Sequence, residues 1–85
     1  MERKELINEI VNFCFKYRLM NRFTKTDEVK KRIEYQLQDS AFVESLINTV
    51  IVKTKKYDHI DNERIVNLLI ELEKVRLDLE YMENR

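Results

Sequence analysis

Not one glycine and not one proline occurs in the 85 residues. At ordinary usage a chain of this length carries about ten of the two together. Their absence constrains the fold more than any other feature. Two-residue hairpin turns of types I′ and II′ need a positive φ, which glycine supplies. Phosphate-cradling loops and dinucleotide fingerprints need glycines for close backbone approach, and nucleophile elbows need them too. The chain is expected to have none of these. Without residues that bend the chain, the breaks between elements must come from capping side chains.

Apolar residues recur at helical spacing almost throughout. The first predicted helix runs from Lys4 to Arg22, with Leu6, Ile7, Ile10, Val11, Phe13, Cys14, Tyr17 and Met20 on one broad face. Thr26 reads as an N-cap, with Asp27 and Glu28 in the first turn, where acids favour the helix dipole. A short second helix follows over Asp27 to Gln38, with Val29, Ile33 and Leu37 in a stripe. Asp39-Ser40 reads as a break with Ser40 as cap. The third helix runs from Ala41 to Lys56, on a core face of Val43, Leu46, Ile47, Val50 and Ile51. Its Val50-Ile51-Val52 stretch is strand-like, but the flanking periodicity is helical. Asp61 reads as the next N-cap, with Ile60 and Ile65 as a hydrophobic staple. The fourth helix then reaches Glu83. Its residues Ile65, Leu68, Leu72, Val75, Leu79 and Met82 repeat at 3, 4, 3, 4, 3, a heptad seam too short for a free-standing coiled coil. The expectation is an all-α small helical bundle of three long helices and one short one. It becomes three helices if residues 27–56 are continuous. One domain over 1–85 is expected, with no internal repeat and no linker.

A domain of this size is marginally stable alone and gains from a partner. The single cysteine, Cys14, rules out an internal disulfide and a cysteine-based zinc site. No apolar run approaches the ~20 residues of a membrane span, and the start Met1-Glu2-Arg3-Lys4-Glu5 does not read as a secretion signal. A cytoplasmic protein is expected, with no membrane partner. Sixteen basic residues balance sixteen acidic ones, but unevenly. Residues 1–35 carry nine basic and six acidic side chains, whereas residues 61–85 carry four and seven.

Candidates for catalysis are weak. Cys14 with His59 is the one nucleophilic pair, yet Cys14 lies mid-face between Ile10 and Tyr17, the ordinary place for a small hydrophobe. Asp58, His59, Asp61 and Glu63 match no metal-site spacing, and helix starts explain the acids. The chain is therefore read as a non-enzyme without cofactor or metal.

What remains is surface. Phe15, Leu19 and Phe23 are spaced i, i+4, i+8 off the main apolar arc of the first helix, beside Arg18 and Arg22. Val66, Ile70, Leu77 and Tyr81 form a second row on the fourth helix, roughly opposite the heptad seam. Extra apolar rows on a small bundle either sit between neighbours in the same chain or mark contact sites. The expected function is a non-catalytic regulator or adaptor that binds protein, as a homodimer or with another protein. The alternative is nucleic-acid binding through the basic–aromatic segment 15–32, using Lys16, Arg18, Arg22, Lys25, Lys30 and Lys31. Zero net charge and a pI of about 6.6 speak against it.

Overall fold

The computed structural model describes residues 1–20 and 25–83, and it is all-α. The helices are α1 (Arg3–Lys16), α2 (Thr26–Gln36), α3 (Ser40–Lys56) and α4 (Glu63–Glu83). Three are long and one is short, as predicted, and α2 and α3 are separate. The strand-like Val50-Ile51-Val52 is helical. No helix among the described residues is long and apolar enough to cross a membrane. The chain divides into two compact units, Met1–Gln36 and Leu37–Arg85.

In the first unit α1 packs against α2. Leu6, Ile10, Val11, Phe13 and Cys14 of α1 are buried, as are Val29 and Ile33 of α2. The Phe13 and Tyr17 rings meet at 4.5 Å. In the second unit α3 packs against α4. Val43, Leu46 and Val50 are buried on one helix, Ile65, Leu68, Leu72 and Val75 on the other. The Ser40 hydroxyl donates to both Glu83 carboxylate oxygens, at 2.9 and 3.0 Å. That contact joins the start of α3 to the end of α4, so the pair is antiparallel. The heptad seam is core only as far as Val75, and Met82 at its end is 66% exposed.

The ends of α1 and α3 correct the expectation that caps alone break the chain. Helix α1 stops at Lys16, six residues before the predicted Arg22. Tyr17 is its C-cap, and Arg18 takes a left-handed backbone with φ of 57°. The Arg18 amide donates to the Phe15 carbonyl at 3.2 Å, and the Leu19 amide to the Cys14 carbonyl at 2.8 Å. These are the two hydrogen bonds of a Schellman motif. Helix α3 ends in the same way. Tyr57 is its C-cap and Asp58 has φ of 57°. The Asp58 amide bonds the Lys55 carbonyl at 3.2 Å, and the His59 amide bonds the Thr54 carbonyl at 2.7 Å. The position that usually holds glycine is filled by Arg once and Asp once. Two orphan carbonyls are satisfied at each helix end, and this offsets the left-handed strain.

The helix starts are each displaced by one residue from the prediction. The Lys25 carbonyl receives the first helical bond of α2, from Val29, so Lys25 and not Thr26 holds the cap position. Asp39, not Ser40, caps α3: its carboxylate accepts the Ala41 amide at 3.0 Å. Asn62, not Asp61, caps α4, with its side-chain oxygen accepting the Arg64 amide at 2.9 Å. Moving that cap puts Asp61 and Val66 at the staple positions, so the predicted Ile60–Ile65 staple does not hold.

The likeness of the two helix ends extends into the helices before them. Aligned on their C-cap tyrosines, α1 and α3 share Leu6/Leu46, Ile7/Ile47, Asn8/Asn48, Lys16/Lys56 and Tyr17/Tyr57. Ile10-Val11 stands against Val50-Ile51. Cys14 and Thr54, both buried, hold the equivalent place one turn before the end. Each terminal lysine also lies over its neighbouring tyrosine ring, 5.8 Å from the centroid in both helices. Spacing of apolar residues alone is too common among helices to set this register; the shared Schellman ends set it. The second helices, α2 and α4, do not continue the match.

A left-handed backbone costs a non-glycine residue roughly 1–2 kcal/mol. Arg18→Gly should therefore raise stability by about 1 kcal/mol in urea unfolding. Asp58→Gly should raise it less, because Asp tolerates this conformation better. An unchanged or lower urea midpoint for Arg18→Gly would contradict the assignment.

Candidate protein-binding surface

Helix α4 is 21 residues long and its second apolar row is out in solvent. Val66 is 40% exposed, Ile70 48%, Leu77 53% and Tyr81 71%. At about 100° per residue these four fall within an arc of about 60°. The buried residues Ile65, Leu68, Leu72 and Val75 occupy the other side of the helix. One helix thus carries two apolar faces, of which its own unit covers one.

The charges beside the row are paired within the helix, two cations with three carboxylates. Arg76 donates from Nε to Glu73 Oε2 at 2.9 Å and from Nη1 to Glu80 Oε1 at 2.6 Å, and its Nη2 also meets Glu73 Oε1. Lys74 pairs with Glu71 at 3.3 Å. The Arg76 hydrogen bonds hold the Glu73 carboxyl below the ordinary glutamate range. Glu73 occupies the gap in the row between Ile70 and Leu77, so its charge there is compensated within the helix.

The other predicted row does not exist as a helical row. Because α1 ends at Lys16, Leu19 lies beyond the left-handed Arg18, and the i, i+4 spacing from Phe15 no longer places the two on one face. Phe15 is half-buried, and Leu19 and Arg18 are exposed. Arg22 and Phe23 lie outside the described residues.

The basic set proposed for nucleic acid is divided. Lys16 is at the C-terminal end of α1 and lies over the Tyr17 ring, with Arg18 just beyond it. Lys30 instead lines a cavity with Arg3 and Lys4, at the opposite end of α1, roughly 18 Å away at 1.5 Å per residue. Lys25 and Lys31 are exposed.

Cys14 is buried, and desolvation pushes its thiol above the ordinary cysteine value, which disfavours the thiolate. His59 follows the α3 Schellman turn and stacks on Tyr57, with ring centroids 6.2 Å apart. Among the described residues no group of three or more His, Cys, Asp or Glu is placed to hold a metal ion. No protein-family model, no curated protein and no solved structure matches the chain.

The Glu73–Arg76 contact has a pH signature. A carboxyl whose folded pKa is lowered contributes stability above its unfolded value, and loses it as pH falls through the folded value. NMR titration should find the Glu73 midpoint below the ordinary value of about 4.3. Arg76→Gln should return it towards that value; an ordinary Glu73 midpoint in the unmodified chain would remove the pairing.

Proposed function

We propose that the protein is a non-catalytic regulator or adaptor of the cytoplasm that works through protein–protein contact, and that its α4 row pairs with the α4 row of a second copy. The observation that carries this reading is the row itself, four large apolar side chains exposed on one arc of a helix. Contiguous exposed apolar surface on a small protein is a usual mark of an interaction site. The occupant follows from the row's spacing. Val66, Ile70, Leu77 and Tyr81 are separated by 4, 7 and 4 residues, which reads the same in both directions. A two-fold axis across antiparallel helices therefore sets Val66 against Tyr81 and Ile70 against Leu77 of the second copy. That is the self-complementarity an isologous dimer requires. Val66 to Tyr81 spans about 22 Å of helix. The pairing of Glu73 and Glu80 with Arg76 reduces the penalty for covering charge at the centre, and the apolar contact must outweigh the like negative charge that residues 61–85 of each copy carry.

Sedimentation equilibrium at ~50 μM should return about twice the chain mass of 10.5 kDa, corresponding to a micromolar dimer. Leu77→Asp and Ile70→Asp should each give a monomer with unchanged helical circular dichroism, because neither side chain belongs to the core of its own unit. Val66→Cys and Tyr81→Cys chains, mixed in a Cys14→Ser background, should cross-link to each other more readily than either does to itself. A monomeric unmodified chain at that concentration overturns the reading.

A further inference from the structure

The first unit contains a cavity of about 430 Å³ lined by Arg3, Lys4, Ile7, Asn8, Lys30 and Glu34. That volume falls within the range of small-molecule pockets. Three of the six lining residues are cations and one is an acid, so the lining carries a net charge of +2. None of these four charged side chains makes an ion pair or hydrogen bond with another described residue. Elsewhere the chain does pair its charges: on α4, Arg76 holds two carboxylates and Lys74 a third. Lys30 and Glu34 are one turn apart on α2, in the less favourable order for a lysine–glutamate pair. Like charges gathered at one cleft repel one another and focus a positive potential into it, which an anion relieves. The cleft also lies at the start of α1, where the helix dipole adds positive potential that Glu2 and Glu5 offset in part, and where Glu2 makes no capping hydrogen bond.

The alignment of α1 with α3 supplies a comparison within the same chain. Asn8 corresponds to Asn48, and each lines a cavity on its own unit. The positions equivalent to Arg3 and Lys4 are Val43 and Glu44, so the cationic character belongs to the first unit and does not come with the shared residues.

We propose that this cleft binds a small phosphomonoester. At neutral pH such a group carries a charge of about −1.5 to −2 with three acceptor oxygens, which matches the +2 of the lining. The planar Arg3 guanidinium suits two of those oxygens, and Lys4 and Lys30 act as point charges on the phosphate. Asn8 and Glu34 then face the organic part. Asn8 offers both a donor and an acceptor, and Glu34 accepts from a hydroxyl or amine, which selects a polar alcohol portion over an apolar one. Ile7 supplies the apolar part of the lining.

The test is NMR titration of the full chain with glycerol 3-phosphate. Saturable shifts are expected at the amides of Arg3, Lys4, Ile7, Asn8 and Lys30, with a Kd of about 1 mM or tighter. Lys30→Glu should weaken binding at least tenfold. Lys4→Gln, at an exposed position, carries the same test should Lys30→Glu fail to fold. Lys55→Glu, on the second unit, should leave binding unchanged. Shifts spread equally over Lys53, Lys55 and Lys56 would overturn the site. Equal affinity for succinate, a dianion without phosphate, would overturn the ligand class. Tighter binding of an oligonucleotide lacking a terminal phosphate, at these same residues, would overturn the small-molecule assignment.

Discussion

The two left-handed residues, Arg18 and Asp58, make the chain reversals of this glycine-free chain possible. An α-helix leaves its last carbonyls without partners, and a Schellman turn satisfies them only when one residue adopts positive φ. Glycine does this without steric penalty, whereas Arg and Asp do it against strain. The turn is retained because the alternative, orphaned carbonyls at the ends of α1 and α3, is also unfavourable. Each unit's second helix begins only after such an end, at Lys25 and at Asn62.

That constraint recurs at the same offset in both units. A small buried residue, Cys14 or Thr54, supplies the carbonyl that accepts the longer-range bond. The Thr54 hydroxyl bonds back to the Val50 and Ile51 carbonyls at 2.7 and 3.2 Å, so its burial leaves no polar atom unpaired. A lysine then lies over the C-cap tyrosine, where its positive charge also suits the helix C-terminus. The two units diverge in their second helices. The α2 helix is short, and its Lys30 and Glu34 join Arg3 and Lys4 around a charged cleft. The α4 helix is long and apolar on two sides. One repeated helix end thus supports two surfaces of different chemistry.

Much of this was legible before the structure. The helical periodicity of Val43, Leu46 and Val50, and of Ile65, Leu68 and Leu72, identified the core faces that α3 and α4 bury. The row Val66, Ile70, Leu77 and Tyr81 was also visible as a periodic set, because a straight helix carries sequence spacing directly into angular position. The row Phe15, Leu19 and Phe23 obeyed the same spacing, but the helix ends before Leu19. Periodicity registers which residues would share a face, not whether the helix continues through them. The cap residues were each misplaced by one position, two of them for a related reason. Asp39 and Ser40, like Asp61 and Asn62, are adjacent residues of equal capping competence, and only the hydrogen bonds choose between them.

The sequence by itself determined that the chain is all-α and which apolar sets form most of its inward faces, and the structure separated α2 from α3. Local propensity and a period near 3.6 suffice for the class and the faces in a chain with nothing to bend it. Only the tertiary structure decided where the helices stop, because a left-handed Arg or Asp has no composition signal and is stabilised by hydrogen bonds formed at the end it creates. Only the structure showed the α4 row exposed, because exposure depends on which neighbours cover a face. The cleft, likewise, gathers Arg3 and Lys4 from one helix and Lys30 from another, residues that sequence spacing never groups together.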